Sequence, residues 1–203
     1  MSMLPPHLVI DGFLPPDLHD GLLQYALSHE ADFARSAMRR DGRAYHGEDR
    51  RSWSSEGELG GLKQPFQAAI REALPALFAA LGMEPFEPHA IEVDMSAHRN
   101  GDYFRPHCDT MHSGNRTRYS DRVITAVYYF HARPRGFSGG EFAIHPFGEG
   151  DPVMIEPRDN RLLAIPAFAT HEVKPIEMAN DDFRSARFAV NAWVHRTRKP
   201  AAQ

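Results

Sequence analysis

Residues 101–110 read GDYFRPHCDT, and the rest of the chain can be organised around this stretch. His107 and Asp109 stand two apart, so in an extended strand both side chains leave the same face. An imidazole and a carboxylate on one face can share a metal ion, although a lone His-x-Asp pair is equally compatible with a solvated hydrogen bond. A second imidazole from a different strand supplies what the pair lacks. His171, in AIPAFATHEVKPI, is that residue, and two histidines with one carboxylate leave adjacent coordination positions open.

Downstream of residue 90 the chain is a series of short β-rich runs separated by turns. They cover Ala90 to Ser96, Arg122 to His131, Gly140 to His145, Val153 to Glu156, Arg161 to Pro166, Thr170 to Ile176 and Ser185 to His195. Upstream, His7 to Phe13 reads as a strand, and Leu18, Leu22, Leu23, Ala26 and Leu27 give helical spacing to Asp17–His29. Apolar residues every three or four positions predict a second, amphipathic helix over Leu62–Leu81, which Pro75 should kink or divide. Between the helices, Arg35–Gly61 has Arg pairs, glycines and serines without apolar periodicity and reads as an irregular surface region, a candidate lid. Helices that precede the strands instead of alternating with them disfavour a doubly wound parallel sheet. The expected class is mainly β with N-terminal helices and a double-stranded β-helix, or jelly-roll, core. At this length one domain is expected over residues 1–203, with 1–89 as helical support and possible lid and 90–197 as catalytic core.

Alternation in VITAVYYF puts Thr125, Val127 and Tyr129 on one face. In RFAVNAWVH it puts Arg187, Ala189, Asn191 and Trp193 on one face and Phe188, Val190, Ala192 and Val194 on the other. Taken in order, GDYFRPHCDT, VITAVYYF, GFSGGEFAIHP, RLLAIPAFATHEVKPI and RFAVNAWVH resemble the prolyl-hydroxylase-like branch of the Fe(II)/2-oxoglutarate dioxygenases across nearly the whole chain.

The resemblance implies Fe(II) held by His107, Asp109 and His171 as the catalytic metal centre. It also implies 2-oxoglutarate as cosubstrate, its distal carboxylate on Arg187, with Tyr129 and Tyr103 as further cosubstrate-binding candidates. A planar guanidinium with two parallel donors suits that carboxylate. Dioxygen is the oxidant, ascorbate an optional reductant, and succinate and CO2 the coproducts of hydroxylation. The implied substrate is a prolyl residue in a protein or peptide, with a free amino acid or other small molecule as the alternative. Two readings compete: a non-catalytic jelly-roll metal-binding or sensor module, and a cupin-like metalloenzyme without 2-oxoglutarate. The chain departs from the family pattern in two places. The connection from His171 to Arg187 is long and offers Lys174 and Arg184 as rival carboxylate partners, and Phe104 stands where the family's tyrosine would be equivalent, one residue after Tyr103.

The remaining composition sets limits. With 23 Lys+Arg against 27 Asp+Glu, net charge −4, a protein built on phosphate contacts is not expected, so nucleic acid is not an expected partner. Cys108 is the sole cysteine, which precludes an intramolecular disulfide; it reads as a core residue and not as a nucleophile, and a cytoplasmic location is expected. No basic stretch leads into a sustained apolar run and nothing approaches ~18 consecutive apolar residues, so neither signal peptide nor membrane span is expected. His112, His131, His145 and His195 read as hydrogen-bonded or solvent-facing groups, and the Gly139-Gly140 pair as a tight strand entry. Oligomeric state is not legible.

Overall fold

The computed structural model describes residues 3–40, 43–55, 57, 59–110 and 120–198. The N-terminal part runs β1 (Leu8–Asp11), α1 (Pro16–Ser28), β2 (Phe33–Arg35), β3 (Met38–Arg40), β4 (Arg43–Tyr45), β5 (Arg50–Arg51), β6 (Trp53–Ser55) and α2 (Lys63–Leu81). The rest is strand: β7 (Ala90–His98), β8 (Tyr103–His107), β9 (Ser120–Phe130), β10 (Phe137–Gly139), β11 (Phe142–Ile144), β12 (Val153–Ile155), β13 (Arg161–Pro166), β14 (His171–Val173), β15 (Ile176–Met178) and β16 (Arg187–Thr197). A seven-stranded sheet in the order β1-β13-β9-β16-β7-β6-β2 faces a five-stranded one in the order β12-β11-β14-β8-β5, which is the jelly-roll core.

Period-2 alternation in the large sheet gives each of its faces a separate core. Phe188, Val190, Ala192 and Val194 of β16 join Tyr128 and Phe130 of β9 in one buried cluster with Leu22 and Ala26 of α1 and Phe66, Ile70, Leu74, Leu77, Phe78 and Leu81 of α2. Each such side chain contributes roughly 1.5–3 kcal/mol by leaving water. The opposite face supplies Val127, Tyr129, Leu163, Ile165 and Ala189, which pack on Phe142, Ile144 and Val173 of the small sheet. The helices therefore brace the sheet from behind and leave its inner face to the site.

Three expectations need correction. Arg35–Gly61 is not an irregular surface region: β2 and β6 extend the large sheet, β5 pairs with β8 at the edge of the small one, and Ser36, Ser52, Ser55 and Leu59 are buried. Strands of two or three residues, rich in Arg and Ser, carry too little apolar alternation to be read from sequence. Helix α2 is not divided at Pro75: it runs as one helix over Lys63–Leu81, with Pro75 on its solvent-exposed side. Cys108 is only partly buried and belongs to neither apolar cluster. Strand ends also differ: β7 continues to His98, and Thr170–Ile176 divides between β14 and β15. His112 lies outside the described residues. No helix among the described residues is long and apolar enough to cross a membrane.

Candidate metal and cosubstrate site

Antiparallel pairing of β8 with β14 sets His107 directly opposite His171. Asp109 follows just beyond the end of β8, where its backbone N–H and that of Thr110 both donate to the Ala167 carbonyl. One ligand atom from each of His107, Asp109 and His171 lies within 4.8 Å of the others, with His107 Nε2 3.9 Å and His171 Nε2 3.6 Å from the Asp109 carboxylate. Each imidazole Nδ1 is 2.8–2.9 Å from a carbonyl two residues back, Arg105 for His107 and Ala169 for His171. Donation from Nδ1 leaves Nε2 as the lone-pair nitrogen, so both rings present a ligand atom to the same point. Phe104 stacks on the His107 ring (3.5 Å between centroids) and Phe142 on that of His171 (4.8 Å), which fixes the ring planes.

The carboxylate is oriented from the large sheet. Asp109 Oδ2 accepts from Thr125 Oγ1 at 2.7 Å and from Trp193 Nε1 at 2.9 Å. Burial pushes this carboxyl up, but His171, His107 and these two donors together hold it below its usual range, so it stays ionised. Burial and the neighbouring His171 bring His107 down to about 4, which keeps it in the neutral, ligating form.

Farther along the same face of β16, Arg187 is 2% exposed. Its Nη1 donates to the Gly140 carbonyl at 2.9 Å, its Nη2 lies 3.4 Å from His98 Nδ1, and the guanidinium sits 5.1 Å from the Tyr129 ring centre. Burial lowers its pKa, and no carboxylate is paired with it among the described residues. Arg187 Nε, Tyr129 Oη and His98 Nε2 are all buried without a hydrogen-bond partner among the described residues. Three unmet polar atoms around one buried cation are what a dicarboxylic cosubstrate would satisfy, since orphaned buried groups cost ~1–3 kcal/mol each. Burial and Arg187 hold His98 well below the usual histidine range, so its ring is neutral.

The structure thus brings together His107, Asp109 and His171, and separately Arg187 with Tyr129. Tyr103 is not part of either group: its hydroxyl donates to the Glu48 carbonyl at 2.7 Å. Of the rival cations, Lys174 is held by Glu172 at 2.6 Å and Arg184 is exposed. His145 bonds to Glu172 and His195 to Glu92, away from the triad. Sequence reading missed His98, because the predicted strand stopped at Ser96; carried two residues further, it pairs His98 with Arg187.

A jelly roll with an open two-histidine, one-carboxylate site and a buried arginine on its inner sheet defines a class of metal-dependent oxygenase folds. The profile of the 2OG-Fe(II) oxygenase superfamily matches residues 93–195, half the chain, and the protein belongs to that family, whose chemistry uses Fe(II), 2-oxoglutarate and O2. An uncharacterized PKHD-type hydroxylase of Synechocystis is 26% identical over 196 residues, covering 92% of this chain and 62% of that one, so the chain spans about three fifths of this curated relative. Among solved structures, a prolyl hydroxylase of Trichoplax adhaerens, in complex with a hypoxia-inducible-factor peptide fragment, superposes with TM-score 0.69 at 19% identity over 94% of this chain and 83% of that one. A prolyl-4-hydroxylase of Pseudomonas putida gives 0.67 at 19% identity over 94% and 92%. At that identity these likenesses show the fold.

Proposed function

We propose that the chain acts as one oxygenase unit that hydroxylates a prolyl residue in a protein or peptide, with succinate and CO2 as coproducts; free proline is the nearest small-molecule alternative. The observation that carries this reading is the triad together with the unsatisfied Arg187 Nε, Tyr129 Oη and His98 Nε2 on the same large sheet, among the described residues. His107, Asp109 and His171 would hold Fe(II), which with 2-oxoglutarate and O2 supplies the oxidising power for C–H hydroxylation. The chain's own residues do the rest. Nδ1 donation fixes both histidine tautomers, Thr125 and Trp193 hold the carboxylate in one rotamer, and Arg187 with Tyr129 anchors the distal carboxylate of the cosubstrate. The apolar packing of Val127, Phe142, Ile144 and Val173 around this region keeps water away from it. Arg35–Gly61 would serve as the substrate-covering element, and slower hydrogen exchange there on substrate addition would bear that out. A cytoplasmic location fits a chain with one cysteine.

The test is succinate formation under air by purified protein with Fe(II), ascorbate and 2-oxoglutarate, with prolyl peptides or amino acids added. Turnover should vanish in His107→Ala and should need far more 2-oxoglutarate in Arg187→Ala. Absence of both 2-oxoglutarate binding and succinate in the wild type would favour the non-catalytic module instead.

A further inference from the structure

Two opposite charges, Asp94 and Arg50, flank the triad and feel each other without a direct ion pair among the described residues. Asp94 of β7 pairs in register with Asn191 of β16, two residues from Trp193, whose indole N–H holds Asp109, so its side chain leaves the large sheet on the triad's face. Asp94 is reached by Ser54 Oγ at a long 3.5 Å and by the Asn191 side chain, and no direct ion pair joins it to a cation among the described residues. Burial raises its pKa to about 6; the Arg50 charge pulls it back only in part, Glu92 adds to the rise, and the two hydrogen bonds oppose it. Arg50 approaches from the other side. Its guanidinium lies 5.0 Å from the centre of the Phe104 ring, which is itself stacked on His107. Nε of Arg50 donates to Ser52 Oγ at 2.7 Å, while Nη1 and Nη2 have no acceptor among the described residues. Both groups are positioned by one chain of serines: Ser52 Oγ donates to Ser36 Oγ at 2.9 Å, Ser36 Oγ is 2.7 Å from Ser54 Oγ, and Ser54 reaches Asp94.

A partly buried carboxylate and a partly buried guanidinium that feel each other's charge without touching can be bridged by a ligand with the reverse polarity. We infer that Arg50 and Asp94 form a substrate clamp for a prolyl unit whose amine is free, the ammonium on Asp94 and the carboxylate or carbonyl oxygen on Arg50. This rests on the oxygenase reading and narrows its substrate. An internal prolyl residue has a neutral tertiary amide nitrogen with no proton to donate, so it leaves Asp94 uncompensated. Free proline satisfies both groups, and an N-terminal prolyl residue satisfies Asp94 fully and Arg50 through a neutral carbonyl.

The test is anaerobic calorimetric titration of the Mn(II)- and 2-oxoglutarate-loaded protein with L-proline, prolyl-glycinamide and N-acetyl-prolyl-glycinamide. The wild type should bind at least one free-amine ligand, and the acetylated one 10-fold or more weakly by comparison. Asp94→Asn should abolish that discrimination by weakening only the free-amine ligands. Arg50→Gln should weaken L-proline more than prolyl-glycinamide, and the relative affinity of those two in the wild type separates the free amino acid from a peptide N-terminus. The inference is overturned if the acetylated ligand binds as well as the others, if no prolyl ligand binds, or if Asp94→Asn leaves the preference intact. 2-Oxoglutarate titrated into the Mn(II)-loaded wild type reads the oxygenase assignment separately, since that reading fails only if the cosubstrate does not bind.

Discussion

Replacing Arg187 with lysine keeps the positive charge and removes the planar fork, so it asks whether geometry or charge alone holds the cosubstrate. In the structure Nη1 is already committed to the Gly140 carbonyl, and Nε, with Tyr129 Oη beside it, lacks a partner. A lysine ammonium on a shorter reach can keep the Gly140 bond or meet the incoming carboxylate, not both. The expected loss is one charge-assisted hydrogen bond, about 1.5–3 kcal/mol. At ~1.4 kcal/mol per decade this corresponds to a 2-oxoglutarate Kd raised roughly 10- to 100-fold. The assay is calorimetric titration of 2-oxoglutarate into Mn(II)-loaded protein without oxygen, with circular dichroism to establish that the variant is folded. Lys174→Ala and Arg184→Ala serve as controls and should change Kd less than twofold, because one side chain is tied to Glu172 and the other is exposed. A folded Arg187→Lys protein with wild-type Kd, or a larger effect in either control, would refute the reasoning.

Trp193→Phe deletes the indole donor on Asp109 and should weaken divalent-metal binding by ~10- to 100-fold, measured by competition with a chromogenic chelator. Asp94→Asn has a pH signature. The folded-state pKa of Asp94, about 6, lies above the ordinary aspartate value of 3.8, so the folded protein binds that proton more tightly than the unfolded chain. Its stabilising contribution is present below about pH 4 and lost as pH rises through about 6. The metal-free Asn variant should therefore gain on the wild type between pH 4 and pH 7, by about 1–3 kcal/mol or several degrees in Tm, and a pH-independent difference would contradict this. Pro75→Ala restores a donor to the exposed face of α2 and should raise stability by about 2 kcal/mol in urea unfolding.

How far the sequence could be read depended on the length scale of each feature. His107 and Asp109 are two residues apart on an extended chain, and the inward faces of β9 and β16 follow from alternation over eleven residues each, so both were legible locally. His171 needed only a strand of its own. Register was not legible: nothing in the sequence says that His98 lies opposite Arg187, or that Tyr103 turns toward Glu48 while Phe104 lies on His107. Nor could Arg50 be placed, because β5 is two residues long and forms by pairing with β8, far away in sequence. Pro75 misled for a different reason. Its penalty depends on which face of the helix it occupies, and periodicity places apolar residues better than it weighs the cost of a missing donor on the wet side.

The glycine pair beneath Arg187 also constrains how this part of the sheet can change over time. Gly139 and Gly140 both have positive φ, at 70° and 71°, and an added Cβ would overlap the Pro175 carbonyl oxygen in one case and the Ile176 side chain in the other. The Gly140 carbonyl meanwhile receives Arg187. A side chain at Gly139 would have to displace the Pro175 backbone and one at Gly140 the tip of Ile176, so a change at either glycine is felt along the same stretch of chain that carries His171.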